Sequence, residues 1–310
     1  YGLVTPVAYA IHRHAELEAR MVFTGSHSAR SEGFNLEARR AEIPFETAVV
    51  PCKGIGESVM DSGAALGEMV TGFSRLWADS TPGLAVLLGD RYELLAPASA
   101  AVLFGIPIAH LFGGEVDVAY CLDTQVRDAL TKMAHIHFVT HPVMRRRLRE
   151  MGEEDWRIVV SGNPAVDRLT PDAVVFDSFA KERGWDTTRL IAACYLPPTT
   201  CRDALETELT ALLSALADWP NHLVVSAGVN TDPGAEEIES RLRRHAAEQP
   251  NHVFVSGLGT PCFHGLLRRA QALVGNSSSG LLEAASFGLP VVNVGVRQRG
   301  RLCGENVINV

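Results

Sequence analysis

The residues best suited to chemistry in this 310-residue chain fall into two groups. The first lies near the carboxyl end. Leu273-Val-Gly-Asn-Ser-Ser-Ser-Gly-Leu-Leu-Glu283 is followed by Gly288-Leu-Pro-Val-Val-Asn-Val294 and Arg297-Gln-Arg-Gly-Arg301. An apolar run that breaks at a glycine and continues into serines predicts a strand leading to a helix start, where unsatisfied N–H groups and the helix dipole favour an anion. Ser277, Ser278, Ser279 and Gly280 alone would read as an ordinary helix cap. With Arg297 and Arg301 one short strand further on, the set predicts a cradle for a diphosphate. The second group is acidic. Asp90 follows the apolar run Leu84–Leu88, and Glu115 follows Ile106–Phe112 and the pair Gly113-Gly114. Both fall where open α/β sheets place their ligands, at the carboxyl ends of strands. Asp90 there can do chemistry or hold a helix start, and Asp123 and Asp128 lie a short distance beyond.

Hydrophobic periodicity gives the elements that must position these groups. Helical spacing covers 7–18, 56–79 and 123–135, and runs of strand length cover Glu18–Phe23, Leu84–Leu88, Ile106–Phe112, Ile136–Thr140 and Arg157–Val160. Ser161-Gly-Asn-Pro164 is a turn signal, and Pro171 with its polar neighbours predicts a linker. The second half alternates strands at Leu190–Cys194, Leu223–Ser226, Val253–Ser256, Leu273–Val274 and Val291–Val294 with helices over 203–218, 234–247, 262–270 and 280–287. That alternation predicts parallel sheets covered by helices, in domains of 1–168 and 169–310.

Composition excludes several classes. The formal net charge of −8 argues against a nucleic-acid partner. Arg145-Arg-Arg-Leu-Arg149 is the one basic run and reads as a solvated helix face. The six cysteines lack metal-site spacing, which predicts reduced thiols and no structural zinc. His135 and His137, flanking a strand start, read as packing residues. Neither a membrane-spanning run nor a signal-peptide pattern is visible, so a cytoplasmic enzyme is expected.

Asn276-Ser-Ser-Ser-Gly280, Arg297-Gln-Arg-Gly-Arg301 and Glu305-Asn-Val together resemble the carboxyl-terminal signature of the hydrolysing UDP-N-acetylglucosamine 2-epimerases of sialic-acid-type pathways. Further matches occur in order at Tyr1-Gly-Leu, Thr24-Gly-Ser-His27, Gly89-Asp-Arg-Tyr-Glu93, His110 with Gly113-Gly-Glu115, Thr131-Lys132, and Asn230 with Asp232-Pro-Gly234. The resemblance implies two Rossmann-like domains facing across a cleft, the GT-B fold, with the amino-terminal domain lacking its first strand in this sequence. It implies that Ser278 and Ser279 bind phosphates, Glu283 the ribose hydroxyls, and Arg301 with Arg297 the diphosphate charge. It places His27, His110 and Arg127 on the sugar or acceptor side, although His27 also reads as a loop histidine without a role. It implies a homodimer.

The chain departs from the family at five ionisable positions. Phe112 stands where the family has His, Val118 where it has Glu, Thr124 for a Glu, Asp128 for a His, and Leu196 for a His. The related enzymes remove the proton at sugar C2 while the nucleoside diphosphate leaves C1, then add water across the double bond, and Phe, Val, Thr and Leu cannot shuttle protons. With the diphosphate side intact, this pattern predicts a glycosyltransferase that cleaves the anomeric C1–O bond and passes the sugar to a small hydroxyl or thiol acceptor. Asp90, Glu115, Asp123 and Asp128 would orient or deprotonate that acceptor, without metal or cofactor, on a UDP- or GDP-linked sugar. A hydrolysing 2-epimerase and a non-catalytic sugar-nucleotide binder are the alternatives.

Overall fold

The computed structural model describes residues 3–25, 28, 36–52, 59–116, 122–169, 173–194, 202–227 and 235–310. The described chain folds as two compact units, with the change at Pro164 and Ala165. The first unit contains α1 (Val4–Arg13), β1 (Arg20–Phe23), α2 (Leu36–Ala41), β2 (Glu46–Val49), α3 (Val59–Asp79), β3 (Ala85–Leu88), α4 (Leu95–Phe104), β4 (Ile108–Leu111), α5 (Leu122–Met133), β5 (Ile136–Val139), α6 (Pro142–Glu150) and β6 (Ile158–Val160). β1 pairs in parallel with β2, and β3, β4, β5 and β6 form a parallel sheet in that order. Helix α3 packs Met69, Phe73 and Trp77 against Ala96, Ala98, Ala100 and Ala101 of α4 and against Ala85, Leu87 and Ile108 of the sheet. α4 has no polar face over its buried turns, so it shows no helical periodicity and goes unread in the sequence.

The second unit contains α7 (Val174–Glu182), β7 (Leu190–Cys194), α8 (Arg202–Ala217), β8 (Leu223–Ala227), α9 (Ala235–Glu248), β9 (His252–Val255), α10 (Thr260–Arg269), β10 (Ala272–Gly275), α11 (Ser278–Leu282), β11 (Val291–Asn293) and β12 (Val307–Asn309). Its sheet is parallel throughout, ordered β12-β11-β10-β7-β8-β9. Side chains alternate between faces as the strand period requires. Leu190, Val225 and Leu273 face Phe176, Leu266 and Leu267, while Ile191, Val224 and Val274 face Leu209, Leu212, Leu216 and Ile238. A parallel sheet buried on both faces needs the near-continuous apolar strands seen in the sequence.

The helix expected over 280–287 is instead α11 followed by a 3-10 turn at Ala284–Phe287. α10 begins two residues earlier than expected, at Thr260 with Pro261 in its first turn. Among the described residues no helix is long and apolar enough to cross a membrane, and no group of three or more His, Cys, Asp or Glu could hold a metal ion.

Candidate functional site

In the second unit the strand order reverses between β7 and β10, because β8 and β9 extend to one side and β11 and β12 to the other. Ligands of open α/β sheets bind beyond the carboxyl ends at such a point. The segment emerging there from β10 is Asn276–Ser279. Ser277 caps α11, its Oγ accepting from Ser279 N at 3.3 Å and lying 3.2 Å from Ser279 Oγ. A Cβ on Gly280 would come within 2.9 Å of Val291 Cγ1, so glycine is what lets α11 lie close on the sheet. The buried Asn276 carbonyl accepts from Arg297 Nη1 at 3.0 Å and Gln298 Nε2 at 2.7 Å, and Arg301 Nη1 donates to Gln298 Oε1 at 3.2 Å. Arg297 and Gln298 therefore tie the loop after β11 to the loop after β10, and Arg301 braces Gln298. Beside this loop lies a cavity of about 290 Å³ lined by Ala227, Leu258, Phe263, His264, Ser279 and Glu283, among others. Its lining combines apolar groups with a carboxylate, hydroxyls and an imidazole.

In the first unit, the carboxyl ends of β3 and β4 are joined through α5. Arg127, 2% exposed, donates Nη1 to the Glu115 carbonyl at 2.5 Å and pairs through Nη2 with Asp90 Oδ2. Glu115 Oε1 accepts from Thr140 Oγ1 at 3.0 Å. His110 is fully buried; its Nε2 lies 2.8 Å from the Gly89 carbonyl and its Nδ1 3.3 Å from Thr131 Oγ1. A carbonyl only accepts, so the proton sits on Nε2 and Nδ1 takes the threonine hydroxyl. Burial pushes the imidazole down to about 4, and it stays neutral near pH 7. It thus braces the Gly89 turn that presents Asp90. The turn carrying Glu115 is equally constrained. Phe112 has φ +69°, and a Cβ on Gly114, at φ +82°, would meet Leu148 Cδ1 at 2.6 Å and the Met144 carbonyl at 3.0 Å. Backbone held in such conformations gathers at functional sites.

The family model described as UDP-N-acetylglucosamine 2-epimerase matches residues 9–310. The chain belongs to that family. It is 31% identical over 312 residues to the UDP-N,N'-diacetylbacillosamine 2-epimerase (hydrolyzing) of Legionella pneumophila, covering 100% of this chain and 82% of that protein. To the GDP/UDP-N,N'-diacetylbacillosamine 2-epimerase (hydrolyzing) of Campylobacter jejuni it is 28% identical over 312 residues, covering 99% of this chain and 80% of the relative. Among solved structures, the UDP-GlcNAc 2-epimerase of Neisseria meningitidis bound to UDP-GlcNAc superposes with TM-score 0.77 at 16% identity, over 94% of this chain and 79% of that one. The Methanocaldococcus jannaschii UDP-GlcNAc 2-epimerase in complex with UDP-GlcNAc and UDP gives 0.78 at 15%, over 100% and 85%. The epimerase-family fold, α/β with parallel sheets in two units, is the one that the sequence resemblance implies.

Family membership corrects the expectation of a glycosyltransferase. The relatives that match over the whole chain are 2-epimerases, so the five replacements do not mark a change to acceptor chemistry. Three of those positions lie in described residues. Phe112 is 7% exposed in its strained turn, Thr124 is partly buried at the start of α5, and Asp128 pairs with Arg147 of α6 at 3.1 Å. Val118 and Leu196 lie outside the described residues, as does His27. Of the sequence candidates, Asp90, Glu115, His110 and Arg127 are brought together at one sheet edge. Asp123 is partly buried in the first turn of α5. Among the nucleotide-side candidates, Ser279 and Glu283 line the cavity, whereas Arg297 and Arg301 brace the adjoining loops. Sequence reasoning missed Phe263, His264 and Leu258. Their signal was the strand-to-helix passage Gly257-Leu-Gly-Thr-Pro261, a turn followed by proline in a helix's first turn.

Proposed function

We propose that this chain is a hydrolysing 2-epimerase of a UDP-linked N-acetylated sugar. The proton at C2 is removed as the nucleoside diphosphate departs from C1, and water then adds across the double bond with inversion at C2. The observation that carries this reading is the clamp formed by Arg127 on the Asp90 carboxylate and on the Glu115 carbonyl, with Thr140 donating to the Glu115 carboxylate, which fixes two acidic residues at adjoining strand ends. A C–H as weakly acidic as C2–H requires a base held within hydrogen-bond reach, and carboxylates anchored in this way are suited to that work. Departure of the diphosphate is assisted by donors aimed at its developing charge, a role that falls to Ser277, Ser278, Ser279 and Arg301. The proposal includes a homodimer, to be read by light scattering, and turnover that survives a chelator.

The test is proton NMR in deuterated water with UDP-N-acetylglucosamine and, separately, UDP-N,N'-diacetylbacillosamine. Release of UDP from at least one of them, with deuterium at C2 of the inverted sugar, is the expected result. UDP release without C2 exchange, or no release from either, would overturn the proposal.

A further inference from the structure

Three consecutive backbone amides root the loop that follows β11, each on a different element. Val294 N donates to the Gly275 carbonyl of β10 at 2.9 Å, Gly295 N to the Val310 carbonyl beyond β12 at 2.8 Å, and Val296 N to Glu208 Oε1 of α8 at 3.1 Å. The first two acceptors are main-chain carbonyls. The third is a side chain, and a substitution can remove it. Leu209, Leu212 and Leu216 bury α8 against the sheet in the cluster that Val294 also joins, which brings the half-buried Glu208 carboxylate over Gly295. The fit is close: a Cβ on Gly295, at φ +77°, would overlap the Glu208 carboxyl group.

What this bond holds matters for an anion. Arg297 follows directly, and Arg297 and Gln298 reach the Asn276 carbonyl, one residue before the Ser277 cap of α11. The arginine loop and the serine turn thus take their relative placement from residues just past Val296. We infer that Glu208 is a positioning residue for the diphosphate, acting through Val296 to set the donors of the two loops against each other. The inference rests on the nucleotide-sugar reading of the site. Its sign is distinctive. A carboxylate near a bound diphosphate opposes it by charge, so losing Glu208 would tighten binding if charge alone counted. A positioning role gives looser binding instead, because the donors are no longer held in place before the ligand arrives.

The experiment is ligand-observed NMR titration of UDP and of uridine into the wild-type chain, Glu208→Ala and Glu208→Gln. The ratio of the two affinities reads the contribution of the diphosphate, because general loosening of the pocket weakens both ligands alike. In Glu208→Ala the ratio should fall about tenfold, the scale of one lost hydrogen bond to a charged group. Glu208→Gln removes the same charge but keeps an acceptor oxygen for Val296 N–H, and the ratio should stay within about twofold of the wild type. A ratio that holds or rises in the Ala variant, or that falls equally in both variants, would overturn the role of Glu208. A wild type that binds UDP no more tightly than uridine, or not at all, would instead overturn the underlying nucleotide-sugar reading.

Discussion

The carboxyl edges of the four-stranded and the six-stranded sheet solve different problems with similar backbones. At the first unit's edge, charged and polar groups are committed to one another: Arg127 grips Asp90 and the Glu115 carbonyl, Thr140 meets Glu115, and His110 spans Gly89 and Thr131. At the second unit's edge, hydroxyl, carboxylate and aromatic groups line a cavity of about 290 Å³. One edge is organised to fix the orientation of a few groups, the other to receive something. The expectation of a transferase rested on five replaced positions, and Asp90, Glu115 and Arg127 are not among them.

The comparison is broken most severely by removing the clamp. Asp90→Asn removes the negative charge that pairs with Nη2 of the buried Arg127 guanidinium. Asp90 retains 22% of its side chain in solvent, so we expect a loss of about 2–3 kcal/mol in denaturant titrations, below the range for a wholly buried pair. UDP release should fall by roughly 10²–10⁴, the usual contribution of a positioned acid or base. Unchanged turnover would remove Asp90 from the chemistry.

Acid sharpens the contrast next. Unfolded histidine takes up its proton near 6.5, whereas burial holds His110 down to about 4. The contribution is therefore complete above pH 6.5 and is lost as pH falls toward 4, on the order of 3 kcal/mol for this residue. His252 in the second unit is also lowered to about 4, chiefly by burial, so both units weaken in acid. In His110→Gln the first unit should lose part of its pH slope while the second keeps its own, read by hydrogen exchange resolved along the chain. An unaltered slope in the first unit would contradict the assignment.

On the receiving side, Glu283→Ala should weaken UDP binding by about 1–3 kcal/mol with little effect on melting. Equal affinity would take Glu283 out of the pocket. The smallest effect is expected at Arg145, whose pair with Asp155 at 2.5 Å is exposed on α6. Arg145→Ala should leave both melting and turnover unchanged, in contrast to the buried Arg127 pair of the same unit.

Much of this was legible in the chain. Apolar runs such as Leu84–Leu88 and Leu223–Ser226 marked strands covered on both faces, and the residues following two first-unit runs proved to be the clamp. What escaped notice had physical reasons. α4 is alanine-rich and buried over most of its length, so it has no amphipathic stripe. β12 has three residues, Val307–Asn309, too few for a period. The nearness of His264 to Glu283 joins residues 19 positions apart that no local pattern brings together. Adjacent helical residues point in different directions, which the sequence does not display: Arg127 turns inward to Asp90, while Asp128 turns to Arg147.

The grip of Arg127 has a dynamic consequence. Its guanidinium reaches the loops after two different strands from a single helix, so both loops share one buried anchor. Opening of the backbone around Gly89–Arg91 and around Gly113–Glu115 should therefore be one cooperative event, with amide protons in both stretches exchanging at a common rate. The edge then behaves as a single latch, and whatever ligand seats against one loop restrains both.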